Sequence, residues 1–285
     1  MPASPPVWGA ESRPPSLPGD LVSGPTARGP FASLTAHPAA RFTAGSTEIL
    51  VACLDLAPDA VHNLAASLSD SERQRVNRLA FHRDRRRFIV ARARLRQFLA
   101  ARLGIRAESV ELASGSHGKP ELAQRFAGTG WRFNLSHSDD IAVYAFSRGC
   151  RVGIDVEALR AIHDADDIAA SFFSRHENDV YRALVSHDKP LGFFNCWTRK
   201  EAFIKALGDG LSHSLDSFDV SLAPGEPAKI LRVGKTCGDG TGWRLDSFSP
   251  APGYIAAVVT ECHRHRQRLD FQTARETFHS TALQD

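Results

Sequence analysis

Lysine is scarce in this chain, and its cysteines show no pairing pattern. Only six of the 35 basic residues are lysine, so each lysine is worth locating. The five cysteines are odd in number and lack CxxC spacing, which argues against both a disulfide framework and a zinc site. Cysteine use of this kind favours a reducing compartment, and we expect a cytoplasmic protein.

Long apolar runs are also absent. No run approaches the roughly 18 residues that a membrane-spanning helix needs, so we expect no membrane partner. The N-terminus lacks the basic and then apolar pattern of a secretory signal. A hydrophobic content of 42% and a charged content of 24% are typical of a soluble globular protein. The net charge of +3 is too small to identify a class of partner.

The 285 residues are enough for one large domain or for two of ordinary size. Residues 1–44 are rich in Pro, Ala, Ser and Gly and are interpreted as a flexible extension, and residues 266–285 as a polar tail. Residues 45–158 and 159–265 are interpreted as an N-terminal and a C-terminal half. Each half has the pattern of a strand, helical material and several short strands, which suggests a structural repeat.

An arginine-rich helix is predicted in the N-terminal half. Ser69 and Glu72 have the spacing of a capping box, and Gly104 is a typical helix stop. Eleven arginines lie between residues 73 and 102, while apolar residues keep one stripe of the helix for the core. Three interpretations stay open: a solvated helix, a nucleic-acid surface, or a site for a small polyphosphate whose oxygens match the guanidinium fork.

Two carboxylates are predicted to lie side by side on a strand at residues 151–157. Apolar and polar residues alternate there, so the period of two places Asp155 and Glu157 on one face. Such neighbours repel each other unless a proton or a cation lies between them. The pair therefore belongs either to a solvent-facing edge strand or to a site for a hard cation such as Mg²⁺.

A second long helix, at residues 193–207, carries an acid and a lysine on one surface. The segment contains no Gly or Pro, and its apolar residues recur at a period near 3.6, so we expect one buried face. Glu201 and Lys205 stand four residues apart, and Trp197 lies one turn before Glu201. The pair is either an ordinary surface salt bridge or part of a desolvated binding site.

Two short polar segments complete the set of candidate residues. Lys119 stands between Gly118 and Pro120, on a predicted tight bend from which it can project into a groove. Ser136, His137 and Ser138 are predicted to form a tight polar connection between two strands. A Ser/His hydrolase is disfavoured because the segment has no GxSxG motif.

Taken together, four segments resemble the 4′-phosphopantetheinyl transferases, in the large single-chain form that activates surfactin synthetase and related peptide and polyketide synthases. They occur in the order and with the internal spacing of that family, between about residue 69 and residue 221. The segments are Gly118-Lys-Pro120, Phe133-Asn-Leu-Ser-His-Ser138, Gly153-Ile-Asp-Val-Glu157 and Trp197-Thr-Arg-Lys-Glu-Ala-Phe-Ile-Lys205.

The resemblance implies an α+β fold of two similar α/β halves related by a pseudo-two-fold, with coenzyme A in the cleft between them. It implies transfer of the 4′-phosphopantetheine arm of coenzyme A to a serine of an apo acyl or peptidyl carrier protein. The implied reaction depends on Mg²⁺ and releases 3′,5′-ADP. We also expect a monomer, because one chain already contains both halves.

The resemblance further assigns roles to individual residues. Asp155, Glu157 and Glu201 match acidic positions around Mg²⁺ and the pyrophosphate, and Glu201 is also the candidate general base. Lys205 matches a basic position that faces the phosphates. Glu177 aligns with a less certain acidic position near the metal. The positions that hold the nucleotide and its phosphates are matched by Arg75, Arg87, Lys119, Ser136 and His137.

Two other functions remain as alternatives to the transferase. A nucleic-acid-binding protein would use the arginine-rich helix at residues 73–102, and its binding would depend steeply on salt. Another Mg²⁺-dependent enzyme that cleaves a pyrophosphate would use a different acceptor. We expect the transferase, with no nucleic-acid partner.

Overall fold

The computed structural model describes residues 41–115, 118–208, 214–233 and 242–261. The first forty residues of the predicted extension and the predicted tail at residues 266–285 lie outside these ranges. Strand β1 (Arg41–Ala44) pairs with β2 (Thr47–Cys53) through a two-residue turn. Regular structure therefore begins inside the segment that was predicted to be a flexible extension.

The N-terminal half places helices against an antiparallel sheet with the strand order β1-β2-β6-β5. Strands β3 and β4 form a separate hairpin. After β2, the elements are α1 (Pro58–Ala65), α2 (Asp70–Arg78), α3 (His82–Leu103), β3 (Leu112–Ser114), β4 (Pro120–Leu122), β5 (Trp131–Ser138) and β6 (Ile141–Arg148).

The C-terminal half has three helices, a small hairpin formed by β8 and β9, and a sheet with the order β10-β11-β7. Its elements are β7 (Val152–Ala158), α4 (Ala165–Phe172), α5 (Arg175–Ala183), α6 (Lys189–Leu207), β8 (Asp219–Val220), β9 (Ile230–Arg232), β10 (Trp243–Phe248) and β11 (Tyr254–Glu261).

The two halves share one sheet topology. In the N-terminal half β2 pairs with β6, the last strand, and β6 pairs with β5. In the C-terminal half β7 pairs with β11, the last strand, and β11 pairs with β10. In both halves three helices and a hairpin lie between the first strand and the final pair. The predicted α+β class is confirmed, and the shared order of elements supports the predicted repeat.

Strand β7 connects the halves. The predicted division assigned residues 152–158 to the N-terminal half, but β7 pairs with β11 from Val152 opposite Thr260 to Ala158 opposite Tyr254. By its hydrogen bonds β7 therefore belongs to the C-terminal sheet. On its other side β7 lies beside β5 of the N-terminal sheet.

The arginine-rich segment forms two helices where one was predicted. The break lies at residues 79–81, where the flanking backbone is extended. The capping box of Ser69 and Glu72 is confirmed, and Gly104 ends α3 in the left-handed conformation at φ 66°.

Helix α6 is buried on more than the one face that its sequence pattern predicted. Thirteen of its nineteen residues are buried, and these include the charged Arg199 and Lys200. A helix buried all round fixes the direction of each of its side chains closely.

Three apolar clusters hold the layers together. One, which includes Leu99 and Tyr144, packs α3 against the N-terminal sheet. Another, around Phe203, packs α6 against the C-terminal sheet. The third includes Val143 and Ile154 and lies between the two sheets, so the halves share an apolar interface. Within the described ranges, no helix is both long enough and apolar enough to cross a membrane.

Candidate active site

Gly153 lets helix α6 lie directly on strand β7. A Cβ at this position would collide with the carbonyl oxygen of Ala202 and the amide nitrogen of Ala206, and would lie 2.9 Å from the carbonyl carbon of Lys205. Only a residue without a side chain permits this approach. The contact brings the acids of β7 close to the polar side of the last turns of α6.

The centre of the site is an ion pair between that helix and that strand. Nζ of Lys205 lies 2.6 Å from Oδ1 of Asp155 and also donates to Oγ of Ser136 at 3.2 Å. Ser136 donates its hydroxyl to the same Asp155 oxygen at 2.8 Å. The second oxygen, Oδ2 of Asp155, is buried and has no hydrogen-bond partner among the described residues. A buried carboxylate oxygen in this state is open to a further ligand.

Strand β5 orients β7 through a row of polar side chains. Asn134 accepts the backbone N–H of Ile154 at 2.8 Å. Ser136 binds Asp155, and Ser138 donates to Oε2 of Glu157 at 2.9 Å. The connection predicted at residues 136–138 is wrong, because β5 continues to Ser138. The period of two within that strand places both serines on the face toward β7.

Glu157 accepts hydrogen bonds from two donors, yet its pKa is raised. Besides Ser138, the guanidinium of Arg160 donates to Oε2 of Glu157 at 3.3 Å. Burial, and next the charge of Asp155, raise the pKa of Glu157 above its ordinary value. The prediction that Asp155 and Glu157 share one face is confirmed, since both receive hydroxyl groups from the same side of β5.

Glu201 has the most perturbed carboxyl group of the site. Burial raises its pKa to about 7; Lys205 opposes that rise, whereas Asp155 and Glu157 add to it. For Lys205, burial lowers the pKa, but the neighbouring Asp155 and Glu201 outweigh burial and raise it. At neutral pH the site therefore combines a firmly charged ammonium with a carboxyl near its midpoint.

These acids have the ligand chemistry that a hard divalent cation prefers. Oδ2 of Asp155 is available to such an ion, because it has no hydrogen-bond partner among the described residues. The raised pKa values of Glu157 and Glu201 are those expected of buried neighbouring acids with no cation between them. Across the described ranges, however, no three His, Cys, Asp or Glu side chains are arranged to hold a metal ion. The other oxygen of Asp155, Oδ1, is bound by Lys205. In this arrangement the oxygens of Asp155, Glu157 and Glu201 do not converge on one point.

Lys119 reaches the site from the N-terminal half. Its Nζ donates to the backbone carbonyl of Lys205 at 2.9 Å, in the last turn of α6. Burial lowers the pKa of Lys119, and the positive charge of Lys205 acts in the same direction. The lysine thus links the bend before β4 to the end of α6, where a cation is favourable to the helix dipole.

His137 lies next to this group of cations. Its side chain is exposed at the surface, yet protein surrounds enough of the ring for desolvation to lower its pKa. The charges of Lys205, Arg92 and Arg87 lower it further. His137 is therefore neutral near pH 7 and can donate or accept a hydrogen bond without adding positive charge.

The two predicted arginines differ in their surroundings. Arg87 is engaged by Asp55 through two hydrogen bonds of 3.1 and 2.9 Å and lies 4.0 Å from Asp139. Arg75 lies against the ring of Phe88, with 5.4 Å between its guanidinium carbon and the ring centroid. The structure thus places Arg75 against an aromatic ring and Arg87 against a carboxylate.

Several other arginines of this segment bind groups of the protein itself. Several guanidinium groups hold backbone carbonyl oxygens of neighbouring segments, which weakens the interpretation of the whole stretch as one nucleic-acid surface. These are Arg73, Arg85, Arg86, Arg96 and Arg102.

Glu177 has a structural role and not the role near the metal that its alignment implied. Its carboxylate lies 2.7 Å from Nζ of Lys200, and both side chains are almost completely buried. It also accepts the backbone N–H groups of Ser174 and Val220. Lys200 directs its remaining donors to backbone carbonyls, so this pair anchors the side of α6 away from Asp155.

Sequence reasoning missed Ser138 and Arg160, which both bind Glu157. Ser138 could have been found from its spacing of two from Ser136, once the strand was extended. Arg160 lies three residues after Glu157 in the sequence.

Two family models match adjacent parts of the chain. One, described as the 4′-phosphopantetheinyl transferase superfamily, matches residues 151–259, and one described as 4′-phosphopantetheinyl transferase, N-terminal, matches residues 57–148. The boundary between them falls just before β7, in agreement with the pairing of that strand with the C-terminal sheet.

Individual proteins give the same relationship. The 4′-phosphopantetheinyl transferase HetI of Nostoc sp. is 38% identical over 206 residues, which cover 72% of this chain and 84% of that protein. The L-aminoadipate-semialdehyde dehydrogenase-phosphopantetheinyl transferase of Homo sapiens is 30% identical over 55% of this chain and 54% of its own length. The crystal structure of Thermotoga maritima holo-[acyl-carrier-protein] synthase matches 40% of this chain and 63% of that chain, with 23% identity and a TM-score of 0.31. On the two family models and the relationship to HetI, this chain is an enzyme that belongs to the 4′-phosphopantetheinyl transferase superfamily.

Proposed function

We propose that this enzyme transfers the 4′-phosphopantetheine arm of coenzyme A to a serine hydroxyl of an apo carrier protein, with Mg²⁺ and with release of 3′,5′-ADP. The observation that supports this most directly is the gathering of perturbed acids and a lysine where α6 meets β7. The relatives are themselves named phosphopantetheinyl transferases.

Glu201 is suited to act as the general base. A serine hydroxyl is a poor nucleophile near neutral pH and needs a base that removes its proton as the new bond forms. A carboxyl group with a pKa of about 7 accepts that proton far more readily than one with an ordinary pKa. Its position on a helix buried on several sides fixes its direction.

Lys205 is suited to stabilise the leaving group. Negative charge grows on the nucleotide as the pyrophosphate bond breaks, and a fixed ammonium stabilises that charge more in the transition state than in the ground state. Asp155 and Ser136 hold the ammonium in place before any substrate arrives. Little reorganisation is then needed during the reaction.

Asp155, Glu157 and Glu201 are the residues that would hold Mg²⁺, and Oδ2 of Asp155 is the oxygen with no competing partner among the described residues. When bound, the ion would neutralise charge on the pyrophosphate of coenzyme A.

We also propose a cytoplasmic monomer. The scattered cysteines fit a reducing compartment. The two halves already provide a repeated topology within one chain. Light scattering on the purified protein would give the mass of one chain, and a dimer mass would contradict the proposal.

The direct test is to incubate the protein with coenzyme A, Mg²⁺ and an apo carrier protein, and then to weigh the carrier. We expect the carrier to gain the mass of one phosphopantetheine arm. Asp155→Asn should abolish the gain. The exposed Asp179→Asn on α5 is the matched control and should keep it.

The alternatives give different results in the same experiment. A pyrophosphate-cleaving enzyme with another acceptor would consume coenzyme A and leave the carrier mass unchanged. A nucleic-acid-binding protein would do neither and would bind RNA or DNA with a steep dependence on salt. Either outcome would contradict the proposed function.

A further inference from the structure

We propose that Ser138, which the N-terminal half contributes, is a positioning residue for the divalent ion: its hydroxyl holds one oxygen of Glu157 and leaves the other oxygen to the ion. The inference rests on the proposed function, because Glu157 is there one of the residues that would hold Mg²⁺. In this role Ser138 acts only through Glu157 and contacts no reacting atom.

The edge of β7 that faces β5 is bridged by side chains. Strand β7 forms its ladder of backbone hydrogen bonds with β11, and β5 is the outermost strand of the N-terminal sheet. Backbone N–H groups on such an edge need other acceptors. The side chain of Asn134 accepts the N–H of Ile154 at 2.8 Å, and the hydroxyl of Ser138 accepts the N–H of Ala158 at 3.1 Å. Ser138 is therefore fixed at the junction of the two halves.

The bond to Ala158 sets the direction in which Ser138 donates. A backbone N–H can only donate, so the oxygen of Ser138 is the acceptor there and keeps its own proton for another group. That proton is donated to Oε2 of Glu157 at 2.9 Å. A donor held in this way gives the carboxylate a defined orientation before any ligand binds.

The two acids of β7 are held in the same manner. Oδ1 of Asp155 accepts the hydroxyl of Ser136 and the ammonium of Lys205. Oε2 of Glu157 accepts the hydroxyl of Ser138 and a guanidinium group. Among the described residues, Oδ2 of Asp155 has no hydrogen-bond partner, and the hydrogen bonds to Glu157 all end on Oε2. A cation bound by the remaining oxygen of each acid would leave both serine contacts intact.

The end of β5 that carries Ser138 is held from both halves. Ser138 pairs with Ile141 of β6, and the backbone N–H of Leu54 donates to the carbonyl of Asp140 in the turn between them at 2.7 Å. From the C-terminal half, the hydroxyl of Tyr254 donates to the carboxylate of Asp140. Ser138 therefore presents its hydroxyl from a fixed backbone, as the support of a metal ligand requires.

The experiment measures the binding of Mn²⁺ to wild-type and Ser138→Ala proteins from the electron paramagnetic resonance signal of the free ion. Coenzyme A is present without a carrier protein, so no transfer takes place, and Mn²⁺ bound by coenzyme A alone is subtracted. We expect the Kd of Mn²⁺ to rise about 10-fold in Ser138→Ala, as is typical when a metal ligand loses its supporting partner. Ser138→Thr keeps the hydroxyl and should bind Mn²⁺ within about 3-fold of wild type.

Initial rates at varied Mg²⁺ concentration give a second measurement. A positioning role predicts that Ser138→Ala needs more Mg²⁺ for its half-maximal rate and keeps a kcat near that of wild type when Mg²⁺ is saturating. A hydroxyl that only satisfied the backbone of Ala158 would change the Tm and neither metal measurement. Ser249→Ala is the control, because its hydroxyl donates to the backbone carbonyls of Ala251 and Tyr254. It should lower the Tm and leave Mn²⁺ binding unchanged.

The outcomes separate this inference from the proposed function. If wild-type protein binds Mn²⁺ and Ser138→Ala binds it equally well, the positioning role is overturned and the transferase proposal stands. Should Ser138→Ala not fold, Ser138→Cys takes its place, because a thiol is similar in size and a weaker donor, and equal Mn²⁺ affinity in that variant overturns the role as well. A wild-type protein that binds no Mn²⁺ also overturns it. The mass of the carrier after incubation tests the transfer itself, independently of Ser138.

Discussion

The ammonium of Lys205 lies 2.6 Å from the carboxylate of Asp155, although the two residues are fifty positions apart in the chain. The pair joins the helix and the strand that hold the candidate reacting groups. Ser136 binds both members of the pair from the N-terminal half, and Lys119 binds the backbone of Lys205. The geometry of the site therefore depends on contacts from both halves.

The raised pKa of Glu201 predicts a decrease of stability with rising pH. Its folded value of about 7 lies above the ordinary 4.5, so the folded state binds the proton more tightly than the unfolded state. The free energy of unfolding should fall as the pH rises from about 4.5 to about 7. Above that range, Glu201→Gln should be more stable than wild type by about 3 kcal/mol in urea unfolding without divalent ions. Glu226→Gln, on an exposed turn, is the control. Equal pH slopes in wild type and Glu201→Gln would contradict the prediction.

The same group predicts the pH dependence of transfer. A general base must be deprotonated, so kcat should rise with pH through the ionisation of Glu201 and then level off. Bound Mg²⁺ should move the midpoint below about 7, because a nearby cation favours the carboxylate. Initial rates at saturating substrates measure the profile. A rate that falls over this range would exclude Glu201 as the base.

Gly153→Ala should damage both stability and activity. The added methyl group would meet backbone atoms of Ala202 and Ala206, which cannot rotate away as a side chain can. We expect a loss of about 1–3 kcal/mol, typical of overpacking, and a lower kcat because α6 is displaced. Chemical unfolding and initial rates measure the two effects. Gly128→Ala has open space around its Cβ and should behave as wild type.

Lys119→Met should weaken coenzyme A binding and also loosen the end of α6. The variant removes a cation from the C-terminal end of a helix and a hydrogen bond to Lys205, together worth about 1 kcal/mol. Calorimetry with coenzyme A and thermal unfolding report the two losses separately. Lys229→Met, at an exposed position, is the control. Unchanged affinity for coenzyme A would remove Lys119 from the binding site.

Lys200→Met should be severely destabilising because it leaves Glu177 buried without its cation. Breaking a buried ion pair from one side typically costs about 3–5 kcal/mol. The double variant Lys200→Met with Glu177→Gln removes both charges and should recover part of that loss. Urea unfolding of the three proteins measures it. A single variant as stable as wild type would show that the pair does not anchor α6.

The sequence was sufficient to predict that Asp155 and Glu157 lie on one face of their strand, because the alternation of side chains along a strand depends only on local backbone geometry. It also predicted the helix that carries Glu201 and Lys205. It could not predict that Gly153 seats that helix on β7, since this contact joins residues about fifty positions apart.

The arginines at residues 73–102 show the same limit of prediction from sequence. Eleven guanidinium groups in one stretch look equivalent in sequence, yet tertiary contacts decide which remain available. Arg96 is buried against Glu72, and Arg87 is paired with Asp55. The side chain of Arg92 meets no carboxylate within hydrogen-bonding distance among the described residues, and only the fold reveals it.

The matching topology of the two halves has a consequence for how this enzyme can change. The candidate reacting groups lie on β7 and α6, while the arginine-rich helices α2 and α3 lie in the other half. Substitutions on the solvent-facing sides of α2 and α3 can therefore change that surface without replacing any of the groups proposed to react. One copy of the repeat can vary in this way while the other keeps its residues.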